Sequence, residues 1–380
     1  MTTSSKPCHI VFFMNILRKG AGMINRELGM AKVLHAQGHR ISILSYFKAC
    51  NEPDPPSIPV HTVLRTRYLG RLYGTALAFM PAFVLIGWKL LRLRPDILCV
   101  DLPQEAFWAL LFRPVFRYRI VFTYHGTVDP KQYDPNSTDP FERAEHQRLL
   151  QLSKQYYKYL ARVDQAVVVS GFLEKELSTQ DIESLVIHNG YDPDLINPSR
   201  QFRTIKATGP AVISVGRYAR CKGLLDVVQA FTAVAQNLPE AELILYAVHE
   251  EERYYQEIWD HIDTHDLGQR VHLFGPIEFE SFSYMVGLCP VFVTASLYES
   301  FGMPLLEAQA CGVPCVSYRV GGVPEVVKDQ ETGLLVEAGD LPSLAQCMER
   351  ILTDKALHKR LTDNLPAHVS RFTYDKLALE

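Results

Sequence analysis

The sequence predicts an α/β protein built from two doubly wound, Rossmann-like domains facing across a cleft. Three observations point there. A chain of 380 residues has room for two domains at roughly 100–200 residues each. Short apolar runs of strand length alternate with helical patterns, as parallel sheets covered on both faces require. A stretch rich in Pro, Asp, Asn and Arg, Asn189–Ala207, interrupts the alternation at mid-chain and reads as a connection. Domains are expected at 1–190 and 208–360, with a linker at 191–207 and a C-terminal segment, 361–380, packing back toward the first domain.

In the first half the strand candidates are His9–Met14, Ile41–Ser45, Ile97–Val100, Ile120–Thr123, Ala166–Ser170 and Leu185–Ile187. In the second half they are Ala211–Val215, Leu243–Tyr246, Val271–Phe274, Val291–Thr294, Pro314–Ser317 and Leu334–Val336. Helical periodicity fills the spaces between, for example at Met23–Gln37, Leu224–Asn237 and Leu341–Ile351. Val128–Pro140, dense in Asp and Pro, reads as a surface loop leaving a strand end. The longest uncharged stretch, Leu72–Trp88, is broken by Gly74, Pro81 and Gly87. At the lower edge of a bilayer span of roughly 17–25 residues, it reads as a buried core helix, with a surface-dipping helix as the alternative.

An apolar fraction of 47% and a charged fraction of 21% exclude disordered and fibrous classes. The eight cysteines form no Cys-x-x-Cys pair, and Cys99 lies inside the apolar run Ile97–Val100, so reduced, packed thiols are expected. Cys311 and Cys315 have no neighbouring His or Cys to complete a metal site. Met1–Lys6 lacks the features of a secretory signal, which makes the cytoplasm the expected compartment. A net charge of -3 argues against nucleic acid as a partner, but it conceals an asymmetry. Residues 1–125 carry 16 Lys and Arg against 6 Asp and Glu. The basic residues flank the apolar 72–88 stretch, at Arg65, Arg67, Arg71, Lys89, Arg92 and Arg94, and recur at Arg113, Arg117 and Arg119. Such a pattern suits either a solvated basic face or peripheral attraction to an anionic membrane or a lipid-phosphate acceptor.

Three segments carry candidate chemistry. Gly20-Ala21-Gly22 follows the first strand and opens a helix, where small residues let backbone N–H groups approach an anion; a plain tight turn would read the same way. A nicotinamide site is disfavoured, because Asn25 stands at the third glycine position and no acidic residue ends the second strand. Gly216-Arg217 through Lys222-Gly223 follows the first strand of the second half, placing two cations where a loop leaves a strand and a helix begins. Charge-assisted contacts there suit a diphosphate. Third, Glu299-Ser300-Phe301-Gly302-Met303-Pro304 precedes Glu307: Pro304 suits a first helical turn and Ser300 its cap. Amides near Phe301 and Gly302 would face a phosphate, leaving Glu299 free for sugar hydroxyls.

Glu299–Val336 resembles the donor-binding half of retaining family-four glycosyltransferases with the GT-B fold. Glu299 and Glu307 match the family's Glu-seven residues-Glu spacing, and Ala308–Val316 its Ala-x-x-Cys/Ser-Gly-x-Pro-x-Val string. Gly321, Gly322, Glu325 and Val327 follow the family pattern, as do Thr332–Val336 and Gly216, Arg217, Lys222 and Gly223. In looser form, His125-Gly126, Gly20/Gly22, and Asn189-Gly190 with Asn197-Pro198 extend the likeness over the whole chain. The resemblance implies hexosyl transfer from a nucleoside-diphosphate sugar, UDP before GDP or ADP, with retained anomeric configuration and without metal or other cofactor. It implies a glycan, lipid-linked or small-molecule acceptor on the first domain. Arg217 and Lys222 would neutralise the diphosphate, Glu307 would hold the ribose, and Glu299 would hold the sugar, with help from Ser300, Phe301 and Gly302. His125 would lie near the anomeric carbon and Gly22 near the phosphates. A nucleotide-sugar epimerase, a sugar phosphorylase and a non-catalytic nucleotide-sugar binder are the alternatives on the same scaffold.

Three departures stand out. Tyr246–Glu251 replaces glycine-rich chemistry after the second strand of the second half, leaving the packing of the base open. Gln330 stands at a turn glycine. The family's terminal helix, continuing back across the first domain, has little chain after Tyr374. Asp192-Pro193-Asp194, the Asp-x-Asp in the linker, reads as linker rather than metal site, and His188 and His249 read as structural.

Overall fold

A computed structural model of the chain describes residues 7–17, 22–48, 58–64, 76–127, 130, 133, 135–136, 140–193, 196, 210–277 and 279–378. These fall into two compact units. The first comprises Met1–Thr127, Gln147–Gly190 and Tyr374–Glu380; the second comprises Val128–His146 and Tyr191–Thr373. The segment 128–146, inside the first domain by sequence, thus belongs with the second unit, where the Tyr133 hydroxyl donates to Glu251 Oε1 at 3.4 Å.

The first unit is built on β1 (His9–Leu17), β2 (Arg40–Lys48), β3 (Val60–Leu64), β4 (Ile97–Val100), β5 (Arg119–Tyr124), β6 (Gln165–Val168) and β7 (Ser184–Val186). They pair in parallel in the order β3-β2-β1-β4-β5-β6-β7. Strands sandwiched between helix layers bury both faces, so they read as continuous apolar runs: Val11, Phe12, Phe13, Ile43, Leu44, Leu98, Ile120 and Phe122 are all buried. The order reverses between β1 and β4, since the chain leaves β1 toward one edge and returns to start β4 on its other side. Helix α1 (Gly22–Ala36) follows β1. At Gly29, an added Cβ would lie 2.2 Å from the Tyr374 ring, so the small residue seats the short helix Tyr374–Leu377.

Helix α2 (Ala76–Leu93) corrects the expectation of a buried core helix over 72–88. Ala82, Ile86, Leu90 and Leu93 turn inward at three- and four-residue spacing, whereas Phe83, Val84, Trp88 and Leu91 are exposed. Leu72–Thr75 lie outside the described residues. Among the described residues no helix is long and apolar enough to cross a membrane. Helix α3 (Pro103–Phe116) packs beside it, with Phe112 stacked on Phe83 at 5.0 Å between ring centroids.

The second unit carries β8 (Ala211–Tyr218), β9 (Glu242–His249), β10 (Val271–Phe274), β11 (Val291–Thr294), β12 (Cys315–Tyr318) and β13 (Gly333–Val336). These are parallel in the order β10-β9-β8-β11-β12-β13, reversing between β8 and β11. The helix over Leu224–Asn237 buries Leu224, Val227, Val228, Phe231 and Val234 in the core formed with these strands. Each such side chain contributes about 1.5–3 kcal/mol. Open parallel sheets bind ligands outside their carboxyl ends at the switch point, which directs attention to two places: β1/β4/β5 and β8/β11.

Candidate active site

At the second switch point, backbone meets backbone. After β8 the chain tightens into a 3-10 turn, Arg220–Lys222, and Gly223 follows with φ +59°. A Cβ there would lie 1.8 Å from the Ala295 carbonyl oxygen, so glycine alone lets this turn press against the end of β11. The Leu297 amide donates to the Cys221 carbonyl at 2.9 Å and closes the contact. The same closeness occurs after β12. Added Cβ atoms at Gly321 and Gly322 would meet the Glu299 and Ser300 carbonyl oxygens at 1.9 and 2.4 Å, and the Gly322 amide donates to the Glu299 carbonyl at 2.9 Å.

Clamped in this way, Glu299 meets Lys222, with Oε1 at 2.5 Å from Nζ, and the same oxygen accepts from the Ser296 hydroxyl at 3.0 Å. Glu299 is thus ion-paired within the second unit, because the turn after β8 delivers Lys222 onto it. Arg217, the penultimate residue of β8, pairs with Glu250 at 2.5 and 2.8 Å. Those side chains are 42% and 44% exposed, so the pair contributes about 0–1 kcal/mol and exchanges readily for another anion. Glu250 comes from the divergent Tyr246–Glu251 segment, which continues β9 beside β8. A Cβ at Gly216 would meet nothing within 4 Å among the described residues.

The helix Met303–Ala310 begins differently from expectation. Gly302, at φ +105°, occupies the cap position without a side-chain cap. Ser300 lies two residues upstream, its carbonyl under Gly322, and does not cap the helix. The Phe301 ring is buried edge-on against Phe372 at 5.8 Å, so only its backbone is left for a ligand. Glu307 lies further along this helix, half-buried, and its carboxylate has no protein hydrogen-bond partner among the described residues. Burial pushes its carboxyl up to about 8.

The first switch point holds the expected His125 together with residues that the motifs did not flag. Asp101 directly follows β4, His125 directly follows β5, and Arg26 and Glu27 come from α1. Arg26 Nη1 pairs with Glu27 Oε1 at 2.6 Å, and His125 Nε2 lies 3.6 Å from Asp101 Oδ1. Burial lowers the His125 imidazole to about 3, helped by Arg26 and opposed by Glu27, so the ring is neutral. Burial raises the carboxyls of Glu27 and Asp101 well above the ordinary range. Arg26 opposes the rise at both, and the Asp101 charge adds to it at Glu27. A charged residue closing an apolar strand run was the available sign of Asp101. Gly22 opens α1, while Gly20, Asp194, Asn197 and Pro198 lie outside the described residues.

A family model described as glycosyl transferases group 1 matches residues 196–367, and one described as Glycosyltransferase Family 4 matches residues 22–195. The chain is a family-four glycosyltransferase. Its GT-B fold is shared with sucrose-phosphate synthase from Thermosynechococcus elongatus, at a TM-score of 0.79 and 23% identity over 98% of this chain and 96% of that one. Anabaena HepE, solved in complex with UDP and glucose, aligns at a TM-score of 0.75 and 19% identity, covering 98% and 97% of the two chains. N-acetyl-alpha-D-glucosaminyl L-malate synthase of Bacillus anthracis is 25% identical over 90% of this glycosyltransferase and 87% of its own length. Within the glycosyltransferase, the predicted donor residues Lys222 and Glu299 are brought into contact, Arg217 stands on the adjoining strand end, and Glu307 on the helix that follows. His125 belongs to the other unit, beside Asp101.

Proposed function

We propose that this glycosyltransferase moves a sugar from a UDP-sugar to a hydroxyl acceptor, with retention of configuration and without a divalent ion. The observation carrying this reading is the Lys222–Glu299 pair, locked by main-chain packing at the switch point of the second sheet. A diphosphate binding there meets Lys222 and Arg217, whose positive charges offset the negative charge that grows on the leaving group. Glu299, held by Lys222 and Ser296, orients the transferred sugar, with backbone from Ser300, Phe301 and Gly302. Glu307, its carboxylate without a protein donor among the described residues, accepts from the ribose hydroxyls. Gly216 leaves room for close approach of backbone to the donor, and the resemblance gives Gly22 a like role. His125 marks the reacting side of the first unit, which binds the acceptor. The UDP and glucose named for HepE favour UDP over GDP and ADP. The resemblance to retaining enzymes supports retention, which needs an acceptor that attacks on the face the diphosphate leaves.

The test is a thermal-shift screen of the full chain against UDP, GDP, ADP and their sugars, followed by turnover with whichever sugars bind. A ligand present at 100 times its Kd stabilises the native state by about 2.7 kcal/mol, so UDP and one UDP-sugar are expected to raise Tm by several degrees. A shift with GDP or ADP alone overturns the base assignment; no shift with any of them overturns the donor site.

A peripheral membrane location, at the inner face, is supported by one specific surface. Phe83, Val84, Trp88 and Leu91 of α2 are exposed beside Leu111 and Val115 of α3, and the Arg92 guanidinium lies 4.0 Å from the Trp88 ring centroid. Leu91 and Val115 also line a groove with Arg94, Arg117 and Arg119. That groove opens at the amino ends of β4 and β5, away from the strand ends bearing Asp101 and His125. It suits docking to anionic lipid rather than binding of the reacting acceptor. Flotation with anionic vesicles is expected to carry the protein, and Trp88→Glu to abolish it; equal recovery with neutral vesicles removes the idea.

A further inference from the structure

The 3-10 turn that delivers Lys222 begins without a cap of its own. Ala219, at its cap position, makes no side-chain cap, and the first amide of a helical turn has no partner inside it. The partner comes from another strand. Glu251 lies between β9 and the helix Glu252–Thr264, and its Oε1 accepts from the Arg220 amide at 3.3 Å. Its own amide donates to the Tyr218 carbonyl at 2.9 Å. One residue thus takes both main-chain groups at the start of the turn, as Leu297 takes the Cys221 carbonyl further along. The Arg220 guanidinium is turned to Glu257, at 2.6 Å, and to the Tyr254 ring, whose centroid lies 5.5 Å away. Lys222 is therefore the cation that this turn presents to Glu299.

Glu251 is itself held. The Tyr133 hydroxyl donates to the same Oε1 at 3.4 Å, from the segment 128–146 that the second unit contains. Tyr133 is 5% exposed, although Val128–Pro140 reads from its composition as a surface loop. Its ring meets Phe141 edge-on at 6.4 Å between centroids, and His146 Nδ1 donates to the Pro130 and Tyr133 carbonyls at 2.8 and 3.0 Å. The segment thus fastens on itself and offers a hydroxyl to a half-buried carboxylate, which joins Tyr133 to the turn.

We propose that Glu251 is a positioning residue for sugar transfer: it caps, from the end of β9, the turn that carries Lys222, with Tyr133 fixing its carboxylate. The inference rests on the transferase reading above and deepens it, since Glu251 acts through Lys222. The lysine counts most when charge grows on the leaving diphosphate, and a displacement of about 1 Å at such a group is costly. Loosening the turn therefore lowers kcat more than it weakens donor binding.

Steady-state kinetics with a UDP-sugar, alongside thermal shift with UDP, make the test. Glu251→Ala is expected to lower kcat about 3–30-fold, the range of losing a cap, and to keep the thermal shift with UDP. Glu251→Gln retains an acceptor oxygen at the same reach and is expected to restore most of the rate. Tyr133→Phe keeps the ring against Phe141 and is expected to lose about 2–10-fold. The deciding comparison is made in the Lys222→Ala background. With no lysine left to position, adding Glu251→Ala is expected to cost less than about twofold, whereas a merely structural carboxylate would cost as much there as in wild type. Should Glu251→Ala not fold, Tyr133→Phe in the two backgrounds makes the same comparison. Wild-type kinetics in Glu251→Ala or Tyr133→Phe, equal losses in Glu251→Gln and Glu251→Ala, or an undiminished loss on Lys222→Ala overturn the inference. A crippled Lys222→Ala beside an unimpaired Glu251→Ala leaves the donor reading standing and removes the positioning role. If wild type neither binds nor turns over any nucleotide sugar, the transferase reading falls and the inference falls with it.

Discussion

Replacing Lys222 with alanine is expected to lower kcat/KM for sugar transfer by about 10²–10³-fold, the scale of losing one preorganised group that stabilises developing charge. Two effects add. The leaving diphosphate loses the cation nearest the turn after β8, and Glu299 loses its counter-ion at 2.5 Å. An uncompensated carboxylate then stands beside the place a diphosphate must occupy, held there by Ser296 and by the packing of Gly321 and Gly322. That second effect makes a double-mutant cycle informative. Adding Glu299→Ala to Lys222→Ala removes the repulsion, so the double variant should be less impaired than the product of the two single losses. Lys222→Arg should rescue poorly, because a planar fork on a differently shaped stem cannot reproduce a point contact at this distance. Initial-rate kinetics over donor concentration settle the matter. Turnover of Lys222→Ala within threefold of wild type would sink the assignment.

Gly321→Ala is expected to unfold the donor-side architecture more than any other glycine substitution after β12. Its φ of +51° disfavours a side chain, and the new Cβ would sit 1.9 Å from the Glu299 carbonyl oxygen. Something must move, and what lies there is backbone. A cost above about 3 kcal/mol is expected, the range in which strain and steric overlap combine. Gly339 supplies the control: its φ is +82°, but a Cβ there meets nothing within 4 Å. Gly339→Ala should therefore cost only about 1 kcal/mol, from backbone strain alone. Denaturant midpoints of the two variants separate the contributions. Equal destabilisation would mean that the close approach to Glu299 contributes nothing.

The sequence made the strands of the second unit legible because they are buried on both faces and therefore apolar throughout; the helix over Leu224–Asn237 was read with its bounds intact. Strand β3 escaped because it is an edge, pairing with β2 alone, and its His61 and Thr62 break the apolar run. The Ser300 cap failed for a local reason: a spacing rule cannot see that a glycine at positive φ takes the cap position instead. At the site, residue types were legible and partnerships were not. Lys222 and Glu299 stand 77 positions apart, and their contact follows from the approach of two loops that only the fold specifies. Asp101 belongs to no motif. Its neighbours come from α1 and from the end of β5, and the register of three parallel strands is what gathers them.

The turns after β8, β11 and β12 touch through main chain: Gly223 on Ala295, Gly321 on Glu299, Gly322 on Ser300. An anchor made of peptide groups is indifferent to most side-chain replacements around it. Mutational drift can therefore remodel the neighbouring walls while the phosphate end stays put. One such wall is Tyr246–Glu251, at the end of β9, where Glu250 holds Arg217. On the donor site proposed above, that strand end is the part to randomise in order to change the nucleotide, and the three glycines are the part to leave alone.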